Sequence, residues 1–470
     1  MRKLLLFLSI VILAAVVRPA YGAIELSLEK AIEMARANNE DLKKNREDRE
    51  TARERVREAR GAFLPTLGAS YNYSHYFDIV KVPVFDSALP ARSESGSLLG
   101  ADLQNPPGPD NPQGYYLVSH EYPAKYKNEH SLGLTASQVL FTSGRVMSYY
   151  RAARAGSAAA EYNYSRQERG VILQVQESYL NSLLAREALQ IARISLENTL
   201  KDHEIITQRQ KSGLGSEFEV MGHAVELNNR RIELINAENG YRLARNYLKV
   251  IIGLDSAEEV TLTDSYNESF PELEFENLLQ AMRENEPSLK ALEQLVKVNQ
   301  SLYQANRADY FPLVAAFGSF GYSGNSDAFF PKGDDFSETL VAGVQVTIPI
   351  YEGGVKNAKK NQAFRELNKS RIDLVKVRKL LALDLENAYL AYLSSRKELE
   401  AVGEMVKLAE KAYGLSQLRY QSGLGSLTEL RDAELSLTRA RLLLSKTMED
   451  VNLNLYKIQS YTTEMPRSQP

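Results

Sequence analysis

A six-residue segment that occurs twice constrains the fold more than any other feature of the chain. Residues 211–216 read KSGLGS and residues 421–426 read QSGLGS, 210 positions further on. Each copy interrupts a long stretch in which apolar residues recur with helical periodicity, and another such stretch follows at once. Gly213 and Gly423 are positioned to adopt the left-handed conformation that commonly ends a helix. Each copy is therefore predicted to be a tight turn between two antiparallel helices.

Each turn is followed by the signal for a new helix. Ser216 with Glu219, and Ser426 with Glu429, have the Ser-x-x-Glu spacing of a capping box. In this motif the serine hydroxyl and the glutamate carboxylate each accept a hydrogen bond from the other residue's backbone N–H. The sequence therefore predicts two helical hairpins of related design.

The duplication extends well beyond the two turns. Residues 26–73 align without gaps to residues 273–320, and from Phe141 onward the first half aligns to positions 210 residues later. We therefore predict two structural repeats, 23–265 and 266–470. Each repeat has the order helix, strand, strand, long helix, turn, helix.

Alternation of apolar with small or polar residues predicts the strands, and it is less regular around 313–322 than in the other three. Leu67, Ala69 and Tyr71, for example, alternate with Gly68 and Ser70. Segments of about ten residues with one apolar side fit transmembrane β-strands, and half-buried strands of a soluble sheet fit the same pattern. The predicted strands cover about 66–77 and 131–142 in the first repeat and about 313–324 and 339–350 in the second.

The helical stretches are too long for a compact domain. Residues 124–270 and 350–465 contain no proline, and an uninterrupted helix over 144–211 would be roughly 100 Å long. The return helices carry apolar residues seven positions apart, which predicts coiled-coil packing against a neighbouring helix. These residues are Val220, Leu227, Leu234, Tyr241 and Leu248 in the first hairpin and Leu430, Leu437, Leu444 and Val451 in the second.

Two further segments have a distinctive composition. Residues 1–22 have a basic start, an apolar segment and small residues at the end, as in a secretory signal peptide, with a membrane anchor as the alternative. Residues 75–125, between the first two strands, are rich in Pro, Gly, Ser and Asn and are predicted to form a long external loop.

Composition excludes several classes of function. Removal of 1–22 leaves 54 basic residues against 60 acidic residues, which argues against a nucleic-acid partner. The absence of cysteine excludes disulfides, thiol chemistry and Cys metal sites. The five histidines lack the spacing of metal ligands, and no phosphate-binding loop or nucleophile motif is present. We therefore expect neither an enzyme nor a bound metal or cofactor.

Four strands per chain have a consequence for assembly if the sheet crosses a membrane. An open sheet edge leaves backbone groups unsatisfied in lipid, so the sheet must close. The smallest closed barrels have about eight strands. Several chains must therefore contribute to one barrel, with eight strands from a dimer or twelve from a trimer. The long helices would extend from this barrel into the aqueous space, which describes a duct.

The chain resembles the TolC-like outer-membrane efflux and secretion channels over essentially its whole length after residue 22. The resemblance rests on the signal peptide, the duplicated helix–Pro–strand order, and the Gly-Leu-Gly-Ser turns at 213–216 and 423–426. It implies a mainly α fold with membrane β-structure, in which each chain contributes four strands to a homotrimeric 12-stranded β-barrel. A long α-helical periplasmic tunnel continues the barrel. It also implies a location in outer-membrane lipid, a periplasmic adaptor as partner and, through it, an inner-membrane pump.

The resemblance implies a periplasmic gate as well. Glu429 and Asp432 match the acidic rings that narrow the family's periplasmic mouth, and Tyr420 matches an aromatic residue that helps to hold it shut. The sequence departs from one family member at two of these positions: Glu429 stands where that member carries Asp, and Gly425 stands where it carries the arginine of its closed-state lock. Glu429 has an alternative role, because it also completes the predicted capping box.

The turns are the expected docking surface for the adaptor. The residues concerned are Gly213, Gly215, Ser216, Glu219, Gly423, Gly425 and Ser426. The function expected from the resemblance is a passive exit duct for small toxic compounds. Two alternatives stay open: a type I protein-secretion duct of the same architecture, and a periplasmic coiled-coil adaptor or scaffold.

Overall fold

A computed structural model describes residues 24–90, 115–255 and 257–463. The predicted signal peptide, 1–22, and the middle of the predicted external loop, 91–114, lie outside the described residues. The described chain divides into two compact units. A helical unit contains residues 24–56, 151–303 and 362–463, and a sheet unit contains residues 57–90, 115–150 and 304–361.

The described residues of the first half form six strands and four helices. In chain order they are β1 (Ile24–Leu26), α1 (Leu28–Asn38), α2 (Glu40–Gly61), β2 (Thr66–His75), β3 (Lys81–Pro90), β4 (Tyr115–Pro123), β5 (Asn128–Phe141), α3 (Arg145–Lys211), α4 (Glu217–Ile251) and β6 (Val260–Leu262).

The second half contains α5 (Phe275–Asn285), α6 (Pro287–Ala308), β7 (Leu313–Ser326), β8 (Phe336–Thr347), α7 (Val355–Gln421) and α8 (Leu427–Thr462). Equivalent helices of the two halves have nearly equal lengths: 11 residues in α1 and α5, 22 in α2 and α6, 67 in α3 and α7, and 35 and 36 in α4 and α8. None of the described helices is long and apolar enough to cross a membrane.

The sheet unit is built on four strands in the order β2-β5-β7-β8, with all neighbours antiparallel. Thr66 lies opposite Ser137, and Leu313 lies opposite Thr347. Since directions alternate across the sheet, the two edge strands β2 and β8 run in opposite directions. Neither edge is paired among the described residues.

The register gives the four strands two chemically different faces. One face is apolar apart from the ends: Leu67, Ala69, Tyr71, Tyr73, Leu132, Leu134, Ala136, Phe320, Tyr322, Leu340, Ala342, Val344 and Val346. The other is small or polar: Gly68, Ser70, Asn72, Ser131, Gly133, Thr135, Ser137, Ser319, Gly321, Ser323, Ser337, Thr339 and Gln345. Exceptions include Val139, Phe317 and Val341 on the small face and His130, Gln138 and Glu338 on the apolar face.

Two details of the sheet unit differ from the sequence expectation. Strand β8 ends at Thr347, although the apolar alternation continues to Ile350, because Pro349 has no N–H to donate to a neighbouring strand. The predicted loop 75–125 contains a second, two-stranded antiparallel sheet, in which β3 pairs with β4. The proline and glycine content averaged over this segment concealed the two short β-forming runs.

Three apolar clusters hold the helical unit together. The first surrounds the small parallel sheet of β1 and β6 and includes Leu26, Tyr179 and Leu248. The second packs α5 against α7 and α8 through Met282 and Tyr392. The third lies beside the two turns and consists of Ile206, Tyr413, Tyr420, Leu430 and Leu437. It draws on α3, α7 and α8, so it joins the two helical hairpins close to their tips.

Candidate functional site

Both turns have the hydrogen-bond pattern of a Schellman motif. The N–H of Gly213 bonds to the carbonyl of Gln210 at 3.0 Å, and the N–H of Leu214 bonds to the carbonyl of Arg209 at 2.9 Å. The equivalent bonds of the second turn measure 3.1 and 2.9 Å. Gly213 has φ 76° and Gly423 has φ 72°, the left-handed region that favours glycine.

Both capping boxes are formed. The backbone N–H of Glu219 donates to the Ser216 hydroxyl at 3.2 Å, and the N–H of Ser216 donates to the Glu219 carboxylate at 3.1 Å. The corresponding distances for Glu429 and Ser426 are 3.1 and 3.4 Å. Glu429 therefore has a structural role at the start of α8, as its equivalent Glu219 has at the start of α4.

The second glycine of each turn is required by close packing. A Cβ added at Gly215 would lie 3.2 Å from the backbone nitrogen of Gln210. A Cβ at Gly425 would lie 3.1 Å from the Cβ of Arg419 and 3.2 Å from the backbone nitrogen of Tyr420. The second turn therefore has little room for a side chain at the position where a family member carries arginine.

Tyr420 is buried, with 3% of its surface exposed. The guanidinium of Arg209 lies 4.8 Å from the centre of its ring and donates a hydrogen bond to its carbonyl oxygen. Burial raises the pKa of the Tyr420 hydroxyl, with a further increase from the charge of Glu219 and an opposing effect of Arg209. Tyr420 thus contributes to the contact between the two hairpins, and Arg209, which sequence reasoning missed, is its main polar partner.

Asp432 is exposed on the second turn of α8 and borders a cavity of about 500 Å³ between α4 and α8. Two arginines and three glutamates, Glu226, Glu233 and Glu434, share this cavity. Arg431 pairs with Glu226 at 3.2 Å, and Arg230 pairs with Glu226 at 2.9 Å. The predicted gate residues therefore occupy different environments: Tyr420 is buried, Glu429 caps a helix, and Asp432 faces solvent beside paired charges.

Two of the buried carboxylates, Asp202 and Glu434, lie where the two hairpins meet, and sequence reasoning did not find them. Asp202 on α3 is 1% exposed and accepts hydrogen bonds from the Tyr413 hydroxyl at 3.2 Å and the Gln417 amide at 2.9 Å. Glu434 on α8 is 3% exposed and accepts a hydrogen bond from the Thr199 hydroxyl at 2.9 Å. Burial raises the pKa of both carboxyl groups, and these hydrogen bonds oppose the increase.

The available sequence signal for Asp202 was its spacing. Ile191, Ser195, Thr199, Asp202 and Ile206 follow one another at intervals of three or four residues, and all five are buried. The buried face of α3 is thus polar in its middle, at Ser195, Thr199 and Asp202, where the helix meets the second hairpin.

His223 and His203 stack inside the first hairpin, with ring centres 5.6 Å apart and an interplanar angle of 19°. His223 is 1% exposed. Burial lowers its pKa to about 4, and the neighbouring His203 and Arg431 add to the decrease. His223 is therefore a neutral packing residue at physiological pH. Among the described residues, no group of three or more His, Cys, Asp or Glu side chains could hold a metal ion.

Comparison with known proteins identifies the class of this chain. The model of the outer membrane efflux protein family matches residues 117–254 and 278–461. Because the match covers more than half of the chain, the chain belongs to that family. Membership places it among outer-membrane transport proteins rather than enzymes.

Particular relatives are distant in sequence. The alkaline protease secretion protein AprF of Pseudomonas aeruginosa is 24% identical over 67% of this chain and 66% of AprF. The protein CyaE of Bordetella pertussis is also 24% identical, over 66% of this chain and 65% of CyaE. The aligned part thus spans just under two thirds of each of these relatives. The outer membrane protein TolC of Escherichia coli is 22% identical over 92% of this chain and 81% of TolC.

Solved structures have the same fold. The CmeC outer membrane channel of Campylobacter jejuni superimposes with a TM-score of 0.74 and 18% identity, covering 93% of this chain and 85% of CmeC. The open state of the MtrE outer membrane channel of Neisseria gonorrhoeae gives a TM-score of 0.70 and 21% identity, covering 93% and 88%. The chain therefore has the fold of outer-membrane channels.

Proposed function

We propose that the chain is the passive outer-membrane exit duct of a tripartite efflux system. In this role it receives small toxic compounds from an inner-membrane pump through a periplasmic adaptor. The observation that carries the proposal is the four-stranded sheet with two free edges and two unlike faces, in a member of the outer membrane efflux protein family.

The sheet supports closure by several copies. Since β2 and β8 run in opposite directions, β2 of one copy can pair antiparallel with β8 of the next without a change in the sheet. Three copies would give twelve strands. The apolar face would then meet lipid, and the small and polar face would line a water-filled interior. A trimer is chosen over a dimer because of the family resemblance.

Exposed apolar residues on two helices support assembly with further copies. On α4, Phe218, Val225 and Ile232 are seven residues apart and more than half exposed. On α7, Leu408 and Leu415 are seven apart and similarly exposed. Such seams are expected to pack against a helix, and none of the described helices covers them in the single chain. We therefore assign both seams to contacts between copies in the trimer.

The tips of the hairpins are proposed as both gate and docking surface. Three copies of Asp432, and of Glu429, would surround a narrow aperture, favour cations and raise one another's pKa. Tyr420 would help to hold the aperture shut. The adaptor would bind the turns at Gly213, Gly215, Ser216 and Glu219 and at Gly423, Gly425 and Ser426.

A second candidate function has specific support. AprF is named for secretion of a protease, so a type I protein-secretion duct fits the same architecture. Another relative, CzcC of Cupriavidus metallidurans, is named for cobalt, zinc and cadmium resistance.

A periplasmic adaptor or scaffold is the weakest alternative, because it gives no reason for a four-stranded sheet with a continuous apolar face.

A susceptibility panel tests the proposal. A strain lacking this protein is compared with the same strain complemented by it, against dyes, detergents, antibiotics and metal ions. Hypersensitivity that complementation restores supports small-molecule efflux and identifies the substrate class. Unchanged susceptibility, together with loss of a protein from the culture medium, would overturn it in favour of protein secretion.

A further inference from the structure

One side chain contacts both turns. Arg209 lies in the last turn of α3, and its Nη2 donates to the carbonyl of Leu214 in the first turn at 3.4 Å. Its Nη1 donates to the carbonyls of Tyr420 and, at 3.5 Å, Gln421, which end the opposite long helix α7. Arg209 therefore connects the first hairpin to the second at the level of the tips.

The duplication provides an internal comparison. Arg419 occupies the position equivalent to Arg209, 210 residues later. Its Nη2 donates to Leu424 in its own turn at 3.1 Å, and its Nε lies 4.0 Å from the capping carboxylate of Glu429. The Arg419 side chain is 58% exposed and contacts only its own hairpin through these bonds. Of the two equivalent arginines, Arg209 alone bridges the hairpins.

The chemistry of the contact favours arginine over any other residue. The last carbonyls of a helix have no partner within the helix, and the helix dipole places partial negative charge there. The planar guanidinium presents several donors at fixed angles, so it can bind carbonyls of two different segments at once. A Cβ at Gly423 would lie 3.6 Å from Nη1 of Arg209, an ordinary contact distance, so it is the left-handed backbone at φ 72° that requires glycine there.

We propose that Arg209 is the cationic lock that holds the periplasmic mouth closed, in place of an arginine at position 425. This inference rests on the proposed function as a gated duct. Gly425 has little room for a side chain, whereas Arg209 brings its charge to the same turn from the other hairpin. Separation of the two hairpins at their tips breaks the Arg209 contacts first. The Asp202 contacts with Tyr413 and Gln417 lie further from the turns, and we expect the two hairpins to rotate about these contacts.

The main test measures ion conductance of the purified full-length protein in planar lipid bilayers. Arg209→Gln removes both the charge and the guanidinium with its two Nη donors. Arg209→Lys keeps the charge, but its single ammonium group cannot donate to carbonyls of both turns at once. Arg419→Gln is the matched control. We expect Arg209→Gln to raise the open fraction about tenfold, since it removes charge-assisted hydrogen bonds across the interface. Arg209→Lys should fall between Arg209→Gln and the unchanged protein, and Arg419→Gln should change the open fraction by less than about twofold.

A second measurement does not depend on conduction. Hydrogen exchange of the backbone amides in 418–426, followed by mass spectrometry, reports whether a change in the first hairpin loosens the second. Arg209→Gln should accelerate exchange there and in 209–216, whereas Arg419→Gln should accelerate it in 418–426 alone. Circular dichroism and trimer migration on gels verify that each variant folds and assembles.

The outcomes distinguish failure of the Arg209 proposal from failure of the proposed duct function. If Arg209→Gln changes neither conductance nor exchange more than Arg419→Gln does, the lock is overturned. Accelerated exchange without increased conductance, in a protein that conducts, also overturns it, because the contact then does not hold the mouth closed. If neither the unchanged protein nor Arg209→Gln conducts, the duct proposal fails and the lock fails with it, whereas accelerated exchange in Arg209→Gln still supports Arg209 as the bridge between the hairpins.

Discussion

Acidification should loosen the first hairpin near its turn through His223. The buried ring has a pKa of about 4 instead of its ordinary value of 6.5, chiefly because burial disfavours the charged form. A histidine with a lowered pKa in the folded state costs no stability above pH 6.5. As pH falls from 6.5 towards 4, the open state binds a proton that the closed state does not, so stability is lost over this window.

The size of the effect follows from the shift. One pKa unit corresponds to about 1.4 kcal/mol, so the full loss below pH 4 is about 3 kcal/mol. At pH 5.5 the loss is about 1.4 kcal/mol, which increases the population of the locally open hairpin about tenfold. Asp202 and Glu434 act in the opposite direction, because a carboxyl group with a raised pKa stabilises the folded state as it becomes protonated. A comparison of variants at the same pH isolates the contribution of His223.

The assay is hydrogen exchange of residues 217–226 at pH 7.5 and pH 5.5, corrected for the intrinsic pH dependence of exchange. The unchanged protein should lose about tenfold in protection relative to His223→Gln between the two pH values. His75→Gln, in the sheet unit, is the control and should follow the unchanged protein. Equal pH dependence in the unchanged protein and His223→Gln would refute the reasoning.

Three further predictions concern the gate, the turn and the core. Asp432→Ala should raise single-channel conductance and reduce cation preference roughly twofold, because three carboxylates leave the proposed aperture; unchanged selectivity in bilayers would remove Asp432 from the gate. Gly423→Val should destabilise the second turn by about 1–2 kcal/mol, given the φ of 72° at this position, and weaken adaptor binding in pull-down experiments. Gly414→Ala, at an open helical position, is the control. Equal adaptor binding by the two variants would contradict the role of turn geometry. Arg169→Met should destabilise the helical unit by about 3–5 kcal/mol, because it leaves the buried carboxylate of Glu286, 3.4 Å away, without its cation. Thermal unfolding followed by circular dichroism measures this loss, and a melting temperature unchanged from that of the original protein would show that the pair is not required.

Features with a local cause were accessible from the sequence. The Schellman turns and capping boxes depend on residues within six positions of one another, and the structure forms both pairs. The strands follow from alternation within ten residues, and β2 and β7 begin where the alternation begins. The end of β8 was misjudged, since one proline outweighs an apolar pattern that continues past it.

Contacts between the hairpins were not accessible in the same way. Arg209 reaches residues 211 and 212 positions away, and Asp202 reaches Tyr413 across 211 positions. The immediate neighbours of the two arginines differ, with Gln210 following Arg209 and Tyr420 following Arg419, but this local difference does not tell which arginine contacts the other hairpin. Which arginine crosses between the hairpins depends on how four helices pack. The sequence prediction therefore gave the two turns correctly but did not include the Arg209 contact that connects the hairpins.

If the four-stranded sheet crosses the outer membrane as proposed, its unpaired edges also determine when the chain can insert. A single chain would expose two rows of free N–H and C=O groups to lipid, and each unsatisfied group costs several kcal/mol there. An isolated copy therefore has no stable inserted state, and insertion must wait until partners are present. The rate of membrane insertion should therefore depend on the concentration of newly exported chains with a reaction order greater than one. At low expression the chain would persist on the aqueous side of the membrane, where proteases compete with assembly for it.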